Sequence, residues 1–567
     1  MKKRIGIYIC HCGGNISDYV DVEKVRQSVE HDDAVVLAKT TMFACSDSNQ
    51  KEMVDDIKNY QLDGVIVASC SPKLHLVTFR NVTERGALNK YTYVHANIRE
   101  QASWAHSDDK NGATEKAIRL VKATLAKSRY AEALDTTKIE AIKRIAVVGG
   151  GIAGIKAALS LSEKDCHVYL IEKEQQLGGH VGEWDTLFMS NETGKQLIAR
   201  LHNELLQKKN ITIFTNAEIL STHGSIGNFS LNVKQRDKEL DITVGSVVIA
   251  TGFDSYQPTQ DEFGYKSISN VITLPEFKQL IDNQEKTLTF KGKPVHSIAY
   301  IYCVGSRQTE GGNTYCSRYC CTSTIFAATT AKNKFDNIQN YHITRGLRTY
   351  GKQELIYAES LRNGDIYLQN NEENPPQVYT EGKTTIVKVT DILTSGKELE
   401  FEADLVVLVT GMVPKTNNTV GNLFKLPKGR DKFFNEIHMK LRPVETVIDG
   451  ITIAGTCQGP KNIMESVNSA LSAATKSYSY VSKGILETDP QIATIDKNKC
   501  TGCGDCLPAC PFDAISMNAM GGTNSAFINS SVCKGCGMCT PVCPEDAIDL
   551  IVYSSAEIQS MITALVS

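Results

Sequence analysis

The run Arg144-Ile-Ala-Val-Val-Gly149-Gly150-Gly151-Ile152-Ala153-Gly154 constrains the fold more than any other stretch of the chain. A short apolar strand breaks into glycines and then turns helical. Gly149 permits a tight turn, Gly151 lets the backbone approach a pyrophosphate, and Gly154 lets the helix pack closely on the strand, so phosphates would sit at a helix N-terminus. A second strand, His167-Val-Tyr-Leu-Ile-Glu172, ends in an acid next to Lys173, at the ~20-residue offset where such a cradle accepts ribose hydroxyls. Three glycines alone would be a weak signal. Strand, glycines, helix, strand and acid in that order predict a dinucleotide cradle with contacts at Gly149, Gly151, Ile152, Ala153, Gly154, Glu172 and Lys173, against the bland alternative of a turn that binds nothing.

Two further apolar strands, Ser246-Val-Val-Ile-Ala250-Thr251-Gly252-Phe253-Asp254 and Asp404-Leu-Val-Val-Leu-Val-Thr410-Gly411-Met-Val-Pro414, each end in Thr-Gly. The pair resembles flavoproteins with two dinucleotide domains, such as thioredoxin reductase, in which the first domain holds FAD. That resemblance implies FAD here. It places Leu177-Gly178-Gly179-His180 near the flavin, with Ala250, Thr251 and Gly252. Val447-Ile-Asp-Gly-Ile-Thr-Ile-Ala-Gly455-Thr456-Cys457-Gln458-Gly459 resembles the last flavin-contacting motif of the same superfamily, with Thr456 where the usual acid stands. The next helix, carrying Asn462, Ile463 and Ser466, is expected to point its N-terminus at the flavin ring.

At 567 residues the chain is too long for one core, and three or four domains are expected. A formal net charge of -3 gives no nucleic-acid or membrane surface. No apolar run approaches membrane-spanning length, and Met1-Lys-Lys-Arg leads straight into a strand, so a cytoplasmic protein is expected. Eighteen cysteines in such a chain point to metal or redox chemistry and not to a disulfide framework.

Residues 1–135 read as a small α/β domain. Three apolar strands end at cysteines: Ile5 to Cys10 with Cys12 beyond, Val35 onward to Cys45, and Gly64 to Cys70. If the strands are parallel their carboxyl ends share one edge, and Cys10, Cys12, Cys45 and Cys70 converge. Four thiolates suit a 4Fe-4S cluster; four buried cysteines at strand ends are the alternative. A helix from Ala113 to Arg129 reads as the interdomain connection.

Residues 140–490 read as the flavin domain, with a second dinucleotide-type subdomain at about 290–415. After its first strand, Ser297-Ile-Ala-Tyr-Ile-Tyr, no glycine cradle follows. Cys303-Val-Gly305-Ser-Arg307 and Tyr315-Cys316-Ser-Arg318-Tyr-Cys320-Cys321 stand in its place, which argues against nicotinamide binding. Adjacent cysteines do not easily close an unstrained disulfide, so a cluster is favoured over a catalytic dithiol.

Residues 491–567 carry Cys500-x2-Cys503-x2-Cys506-x3-Cys510-Pro511 and Cys533-x2-Cys536-x2-Cys539-x3-Cys543-Pro544, the pattern of a two-cluster ferredoxin. The fourth cysteine of each run ligates the other cluster, which groups Cys500, Cys503, Cys506 and Cys543, and Cys533, Cys536, Cys539 and Cys510. The third cysteine and the Cys-Pro ending argue against zinc. The halves repeat at Asp513-Ala-Ile515 and Asp546-Ala-Ile548. Ser554 to Ser567 reads as an amphipathic helix covering this fold. Cys166 and Cys457 remain as packing residues.

Taken together the chain resembles the HdrA family, the A-type subunits of heterodisulfide reductase. The resemblance runs through Cys10-His-Cys-Gly-Gly-Asn15, Ala68-Ser-Cys70-Ser-Pro72, the Gly149 fingerprint, Cys303-Val-Gly, Tyr315-Cys-Ser-Arg-Tyr-Cys-Cys321, Gly455-Thr-Cys-Gln-Gly-Pro460 and the ferredoxin tail. It implies an α/β multidomain flavoprotein of thioredoxin-reductase-like architecture, with an N-terminal α/β iron-sulfur domain and a C-terminal α+β ferredoxin domain. It implies FAD beside a 4Fe-4S cluster on Cys303, Cys316, Cys320 and Cys321, and four clusters in all. Expected partners are ferredoxin, heterodisulfide reductase B- and C-like subunits, and a hydrogenase- or formate-dehydrogenase-linked subunit, in a homodimer or a larger complex.

Flavin-based electron bifurcation is the implied activity. Two departures lean towards a plain electron connector: the extra ferredoxin module expected between Gly182 and Pro294 has no cysteines here, and Phe326 stands where the family has lysine. A nicotinamide-dependent oxidoreductase like the small subunit of glutamate synthase would need a second glycine fingerprint.

Overall fold

The computed structural model describes residues 3–567 apart from 137, 185, 186, 189, 191, 418 and 519–524. The chain divides into two compact units, Met1–Ile139 with Glu487–Ser567, and Glu140–Leu486.

In the first unit a parallel sheet runs in the order Val35–Thr41, Ile5–Cys10, Gly64–Ser69, Tyr93–Asn97. Ile5, Ile7, Ile9, Ile66 and Val67 are fully buried, each contributing about 1.5–3 kcal/mol through apolar area removed from water. The connections are helical, Asp47–Asn59 and Pro72–Arg85, because parallel neighbours need a crossover. The expected interdomain helix, Lys110–Ser128, is instead part of this core: Ala113, Ala117, Val121 and Leu125 pack with the sheet residues. Its apolar spacing is helical as expected, but the stripe is a core face and not a linker.

The remainder of this unit holds two short antiparallel pairs, Ala493–Ile495 with Ile548–Leu550 and Ile515–Asn518 with Ser525–Ile528. The final helix, Ser555–Val566, packs on Lys110–Ser128 and does not cover the ferredoxin strands as expected. A reciprocal cap between Ser554 and Glu557 starts it. Just before it the Tyr553 ring lies 3.4 Å from the Lys127 ammonium, a cation held against an aromatic face. Burial pushes that lysine down to about 8.

The second unit contains two parallel five-stranded sheets. One runs Ile451–Ile453, Ser246–Ile249, Arg144–Val148, His167–Ile171, Ile211–Phe214; the other Val271–Thr273, Leu405–Thr410, Ser297–Val304, Gln339–Thr344, Ile366–Gln369. The second therefore begins at Val271, ahead of the expected 290, because a short edge strand and the helix Leu274–Asp282 belong with it. An antiparallel pair, Asp254–Ser255 with Met412–Val413, ties the two Thr-Gly strand exits together. The helices Ile152–Ser162 and Ile463–Val481 pack on one another over the first sheet through small residues such as Ala157, Ala470 and Ala473.

Candidate functional site

At the end of the strand Arg144–Val148 the glycines have separate jobs. Gly149 has φ 107, and a Cβ there would meet the Ala250 carbonyl oxygen at 2.3 Å. A Cβ on Gly154 would lie 1.8 Å from the Gly149 oxygen, so helix and strand touch through backbone alone. At Gly151, the N-cap, nothing lies within 4 Å of a Cβ: that side is open, as a backbone awaiting a phosphate must be. Ile152 and Ala153 open the helix.

Glu172 is buried and accepts from the Gly150 N–H at 2.6 Å and the Glu174 N–H at 2.9 Å. One oxygen therefore braces the glycine turn, and each keeps a lone pair for a hydroxyl. Lys173 pairs with Glu174 at 3.3 Å. One cavity is lined by Gly149, Glu172, Lys173, Thr251 and Gly252 together with Lys415 and Lys432. An extended diphosphate ester fits these donors. Gly178 and Gly179 both have positive φ, and Gly178 donates to the Gly150 oxygen at 2.8 Å. His180 Nε2 lies 3.1 Å from the Phe253 oxygen.

Ala250 ends its strand buried; Gly455, at φ 71, approaches Ala153, and Thr456 Oγ1 lies 3.9 Å from a Cβ on Gly252. The helix beginning at Ile463 is capped reciprocally by Asn462 and Glu465. Glu465 also takes Arg318 and the Tyr350 hydroxyl, so its N-terminus is less free for a ligand than expected. Cys457 is buried, donating to Ala454 and Ile249 carbonyls, and burial raises its thiol. Cys166 donates to the Leu161 oxygen, and burial pushes its thiol up to about 11.

Cys303, Cys316, Cys320 and Cys321 come together as free thiols around the start of the helix Cys320–Lys334. Cys303 sits at φ 63 where the strand register breaks. The Arg318 N–H donates to Cys316 Sγ at 3.3 Å, and Arg307 Nη1 to Cys303 Sγ at 3.8 Å. A hydrogen bond from Cys320, joined by the Arg307 and Arg348 charges, lowers the Cys321 thiol. Arg345 binds the Cys303 and Ser306 carbonyls. Three guanidiniums around four thiols suit an anionic thiolate cluster. Sequence reasoning named the cysteines and passed over these arginines, although Arg345 and Arg348 follow directly on the strand Gln339–Thr344, at its carboxyl edge.

A second cavity is lined by His180 and Trp184 together with Tyr319, the N-cap of the cysteine helix, and Ser323 within it. Lys278 lies in the same wall, its ammonium 4.3 Å from the Trp184 ring and pushed down to about 8 by burial. Phe326 packs edge-on against Phe188 at 5.6 Å.

In the first unit, Cys10 Sγ accepts the Cys12 and Ala44 N–H groups at 3.3 and 3.4 Å, and Arg99 donates to Cys12 Sγ at 3.6 Å. Burial pushes Cys10 up to about 11, with Cys12 and Cys45 adding to the rise. Cys70 is raised by burial and lowered by Arg99, and senses Cys12 and Cys45. The four thus share one neighbourhood at the carboxyl edge of the sheet.

The ferredoxin cysteines line two separate pockets. One is lined by Cys500, Cys503, Cys506 and Cys543, the other by Cys510, Cys533, Cys536 and Cys539. The Ala514 N–H bonds Cys510 Sγ and the Ala547 N–H bonds Cys543 Sγ, each at 3.3 Å, so the repeat extends to the sulfur donors. Among the described residues no group of side chains converges tightly enough for a single metal ion.

A family profile described as pyridine nucleotide-disulphide oxidoreductase matches residues 143–298, and one for a 4Fe-4S dicluster domain matches 499–547. The chain is 33% identical over 600 aligned positions, covering 91% of each chain, to the second A-type iron-sulfur subunit of CoB–CoM heterodisulfide reductase from Methanopyrus kandleri. The chain belongs to the heterodisulfide reductase A (HdrA) family. Another member, the A-type subunit of H(2):CoB-CoM heterodisulfide,ferredoxin reductase from Methanothermobacter thermautotrophicus, is 32% identical over 605 positions, again 91% of each chain. Both alignments exceed this chain's 567 residues, so HdrA relatives hold residues that it lacks. Thioredoxin reductase of T. acidophilum overlaps 59% of this chain and 98% of its own at 17% identity and a TM-score of 0.41.

As an HdrA homologue the protein is an oxidoreductase that transfers electrons through FAD and 4Fe-4S clusters. Its flavin portion has the thioredoxin-reductase-like fold of two dinucleotide-type sheets. Among the described residues no helix is long and apolar enough to cross a membrane.

The second unit also contains an acid whose removal has a calculable effect. Burial acts to raise the Asp365 carboxyl, but the nearby His342 ring and hydrogen bonds from Ser360 and Lys332 outweigh it and hold it at about 2. Its stabilisation is full above the unfolded carboxyl value of about 4 and is lost as pH falls towards 2. Asp365→Ala is expected to destabilise this unit by about 3–5 kcal/mol at neutral pH, because Lys332 is left beside an empty buried site. Denaturant unfolding at pH 7 and pH 3 checks both size and sign: the gap between variant and wild type should narrow in acid.

Proposed function

We propose that this chain is the FAD and four-cluster subunit of a heterodisulfide-reductase-like complex. On this reading it takes electrons from a two-electron donor and delivers them to partner subunits with a disulfide-type acceptor and to ferredoxin. The observation that carries the reading is the cavity walled jointly by His180 and by Tyr319 and Ser323, since it joins the expected flavin loop to the four-cysteine helix. FAD supplies the interchange between two-electron and one-electron transfer, and the clusters carry single electrons.

The protein's part is binding and electrostatics. Gly149, Gly151, Ile152, Ala153 and Gly154 form the pyrophosphate cradle, Glu172 and Lys173 meet the adenosine ribose, and Gly178, Gly179 and His180 close over the ring end. Ala250, Thr251, Gly252, Gly455, Thr456 and Ile463 complete the flavin wall. Cys303, Cys316, Cys320 and Cys321 hold one cluster under Arg307, Arg345 and Arg348. Cys10, Cys12, Cys45 and Cys70 hold a second beside Arg99, supported by the two N–H donors on Cys10. The two ferredoxin sets hold the third and fourth. Lys278 supplies an ammonium group to the wall shared by His180 and Tyr319.

A connector that relays electrons without splitting pairs is the second reading. It is favoured by Phe326, whose contact with Phe188 puts an apolar pair where the family resemblance leads one to expect a cation.

An anaerobic potentiometric titration of the purified chain, with FAD, iron and sulfide counts, separates the two. Strongly crossed one-electron flavin potentials support bifurcation; well-ordered potentials mark a relay. Iron sufficient for fewer than four clusters, or unchanged in Cys10→Ala and Cys45→Ala variants, removes the N-terminal centre.

A further inference from the structure

The second sheet of the flavin unit carries polar and aromatic groups on a face that such sheets usually fill with aliphatic side chains. Tyr300 and Tyr302, Asn340 and His342, and Tyr367 lie on one face of three adjacent strands. The rings of Tyr300 and Tyr367 stack on the two sides of the His342 imidazole, at 4.9 and 4.4 Å and within 11° and 8° of parallel. The Tyr302 hydroxyl lies 2.9 Å from Nδ1, and Asp365 Oδ2 lies 3.7 Å from Nε2. Asp365 in turn takes Ser360 Oγ at 2.5 Å, and Asn340 Nδ2 and Lys332 Nζ at 3.0 Å each. His342, Asn340 and the Asp365 side chain have no exposure, while Lys332 is 21% exposed, so the network runs from solvent to the sheet interior.

Its inner end is Tyr302, the residue before Cys303. Burial first, then Tyr367, Cys321, Tyr300 and Cys320, raise its phenol, so it stays protonated. Asp365 is ionised and can only accept, which turns the Nε2–H of a neutral His342 towards it and leaves Nδ1 to accept from Tyr302. Burial holds His342 neutral in this state. The groups around the ring would nonetheless stabilise the imidazolium: a carboxylate 3.7 Å from Nε2, which makes no hydrogen bond in this state, a phenol oxygen 2.9 Å from Nδ1, and two aromatic faces. The charged and titratable groups facing His342 are Tyr300 and Tyr302 from its neighbouring strand, Tyr367 and Asp365 from the other, and Lys332 from the helix above.

We propose that His342 takes up a proton when the centre held by Cys303, Cys316, Cys320 and Cys321 gains an electron. The inference rests on the reading of those cysteines as cluster ligands. One electron enters from the donor side of the established transfer, one proton enters from solvent, and the new bond is Nδ1–H. With Nδ1 donating, the Tyr302 oxygen becomes an acceptor and its own hydrogen turns away from His342, free to face the cysteines. The added negative charge is thus met by a hydrogen-bond donor and an imidazolium.

The test is a redox titration of the full, anaerobically purified chain at pH 6 to 9, followed by electron paramagnetic resonance. The relevant component is identified as the one lost, with its iron, in Cys303→Ser. Its midpoint potential should fall as pH rises, in the limit by 59 mV for each tenfold change in proton concentration. His342→Gln should keep the component and the iron while its potential becomes independent of pH. Should that variant lose its iron, Tyr302→Phe, which preserves the ring, carries the test through a reduced slope. A pH-independent wild-type potential overturns the proposal, as does a slope unchanged in both variants. If Cys303→Ser loses neither a component nor iron, the ligand reading fails and the proposal with it.

Discussion

A Gly151→Ala protein is expected to fold normally and to hold no FAD. The three glycines of the cradle differ in what a methyl group would meet. At Gly149 the conformation is left-handed and the Ala250 oxygen stands at 2.3 Å; at Gly154 the Gly149 oxygen stands at 1.8 Å. Alanine at either position strains the fold itself. Gly151 has φ -73 and ψ -177, ordinary extended backbone, and no atom within 4 Å of the added carbon. Stability should therefore change by no more than about 0.5 kcal/mol. The methyl group instead occupies the space in which a pyrophosphate would approach the helix N-terminus. Losing two charge-assisted hydrogen bonds at about 1.5–3 kcal/mol each weakens binding on the order of a hundredfold or more. Equilibrium FAD binding to apoprotein, beside the melting temperature of the same apoprotein, checks both halves. Wild-type affinity in Gly151→Ala would show that the cofactor does not lie across this glycine.

The second large effect concerns the ferredoxin segment. Its buried core is Ala493, Cys506, Ile515, Ala526, Cys539 and Ile548, in which only two side chains are large and aliphatic. Ile495, Leu507, Met517, Ile528 and Leu550 pack against it only partly buried, so little apolar area is fully removed from water. The fold there depends on its clusters, whose binding energy is folding energy. A Cys510→Ala, Cys543→Ala double variant removes the fourth ligand from both cavities and should unfold this segment completely. Hydrogen exchange is expected to lose all protection over the strands Ile515–Asn518 and Ser525–Ile528. Protection should persist in Ser555–Val566, which rests on the helix Lys110–Ser128. Retained protection in the ferredoxin strands would mean that side-chain packing suffices without iron.

The parts legible in the sequence are those in which a local spacing is itself the physical requirement. A cubane needs cysteines at fixed offsets, and the two runs sort across the repeat into the cavities where they stand. A pyrophosphate needs glycines at fixed offsets, and in the structure a Cβ would clash with backbone at Gly149 and Gly154 while Gly151 is open. What escaped depended on sheet order or distant packing. Ser297-Ile-Ala-Tyr-Ile-Tyr reads as an ordinary apolar strand; only the pairing Tyr300↔His342 and His342↔Tyr367 turns its tyrosines into a polar stack. The helix Ser555–Val566 is legible as amphipathic, but its partner lies over four hundred residues earlier. Arg345 and Arg348 surround the cysteines only because Gln339–Thr344 is the strand beside Ser297–Val304.

The first unit is discontinuous: residues Glu140–Leu486 interrupt it, and its outermost helix docks on a helix made near the beginning. Translation imposes an order on such a chain. The ribosome completes every strand of the flavin unit before it makes the segment from Glu487 onward, so that unit can fold and load FAD while the first still lacks its final helix. The Lys127–Tyr553 contact and the helix behind it then act as a closing latch, made only once residue 566 has been synthesised. A nascent chain stalled before Tyr553 would therefore carry a finished flavin unit and an N-terminal sheet still without this latch.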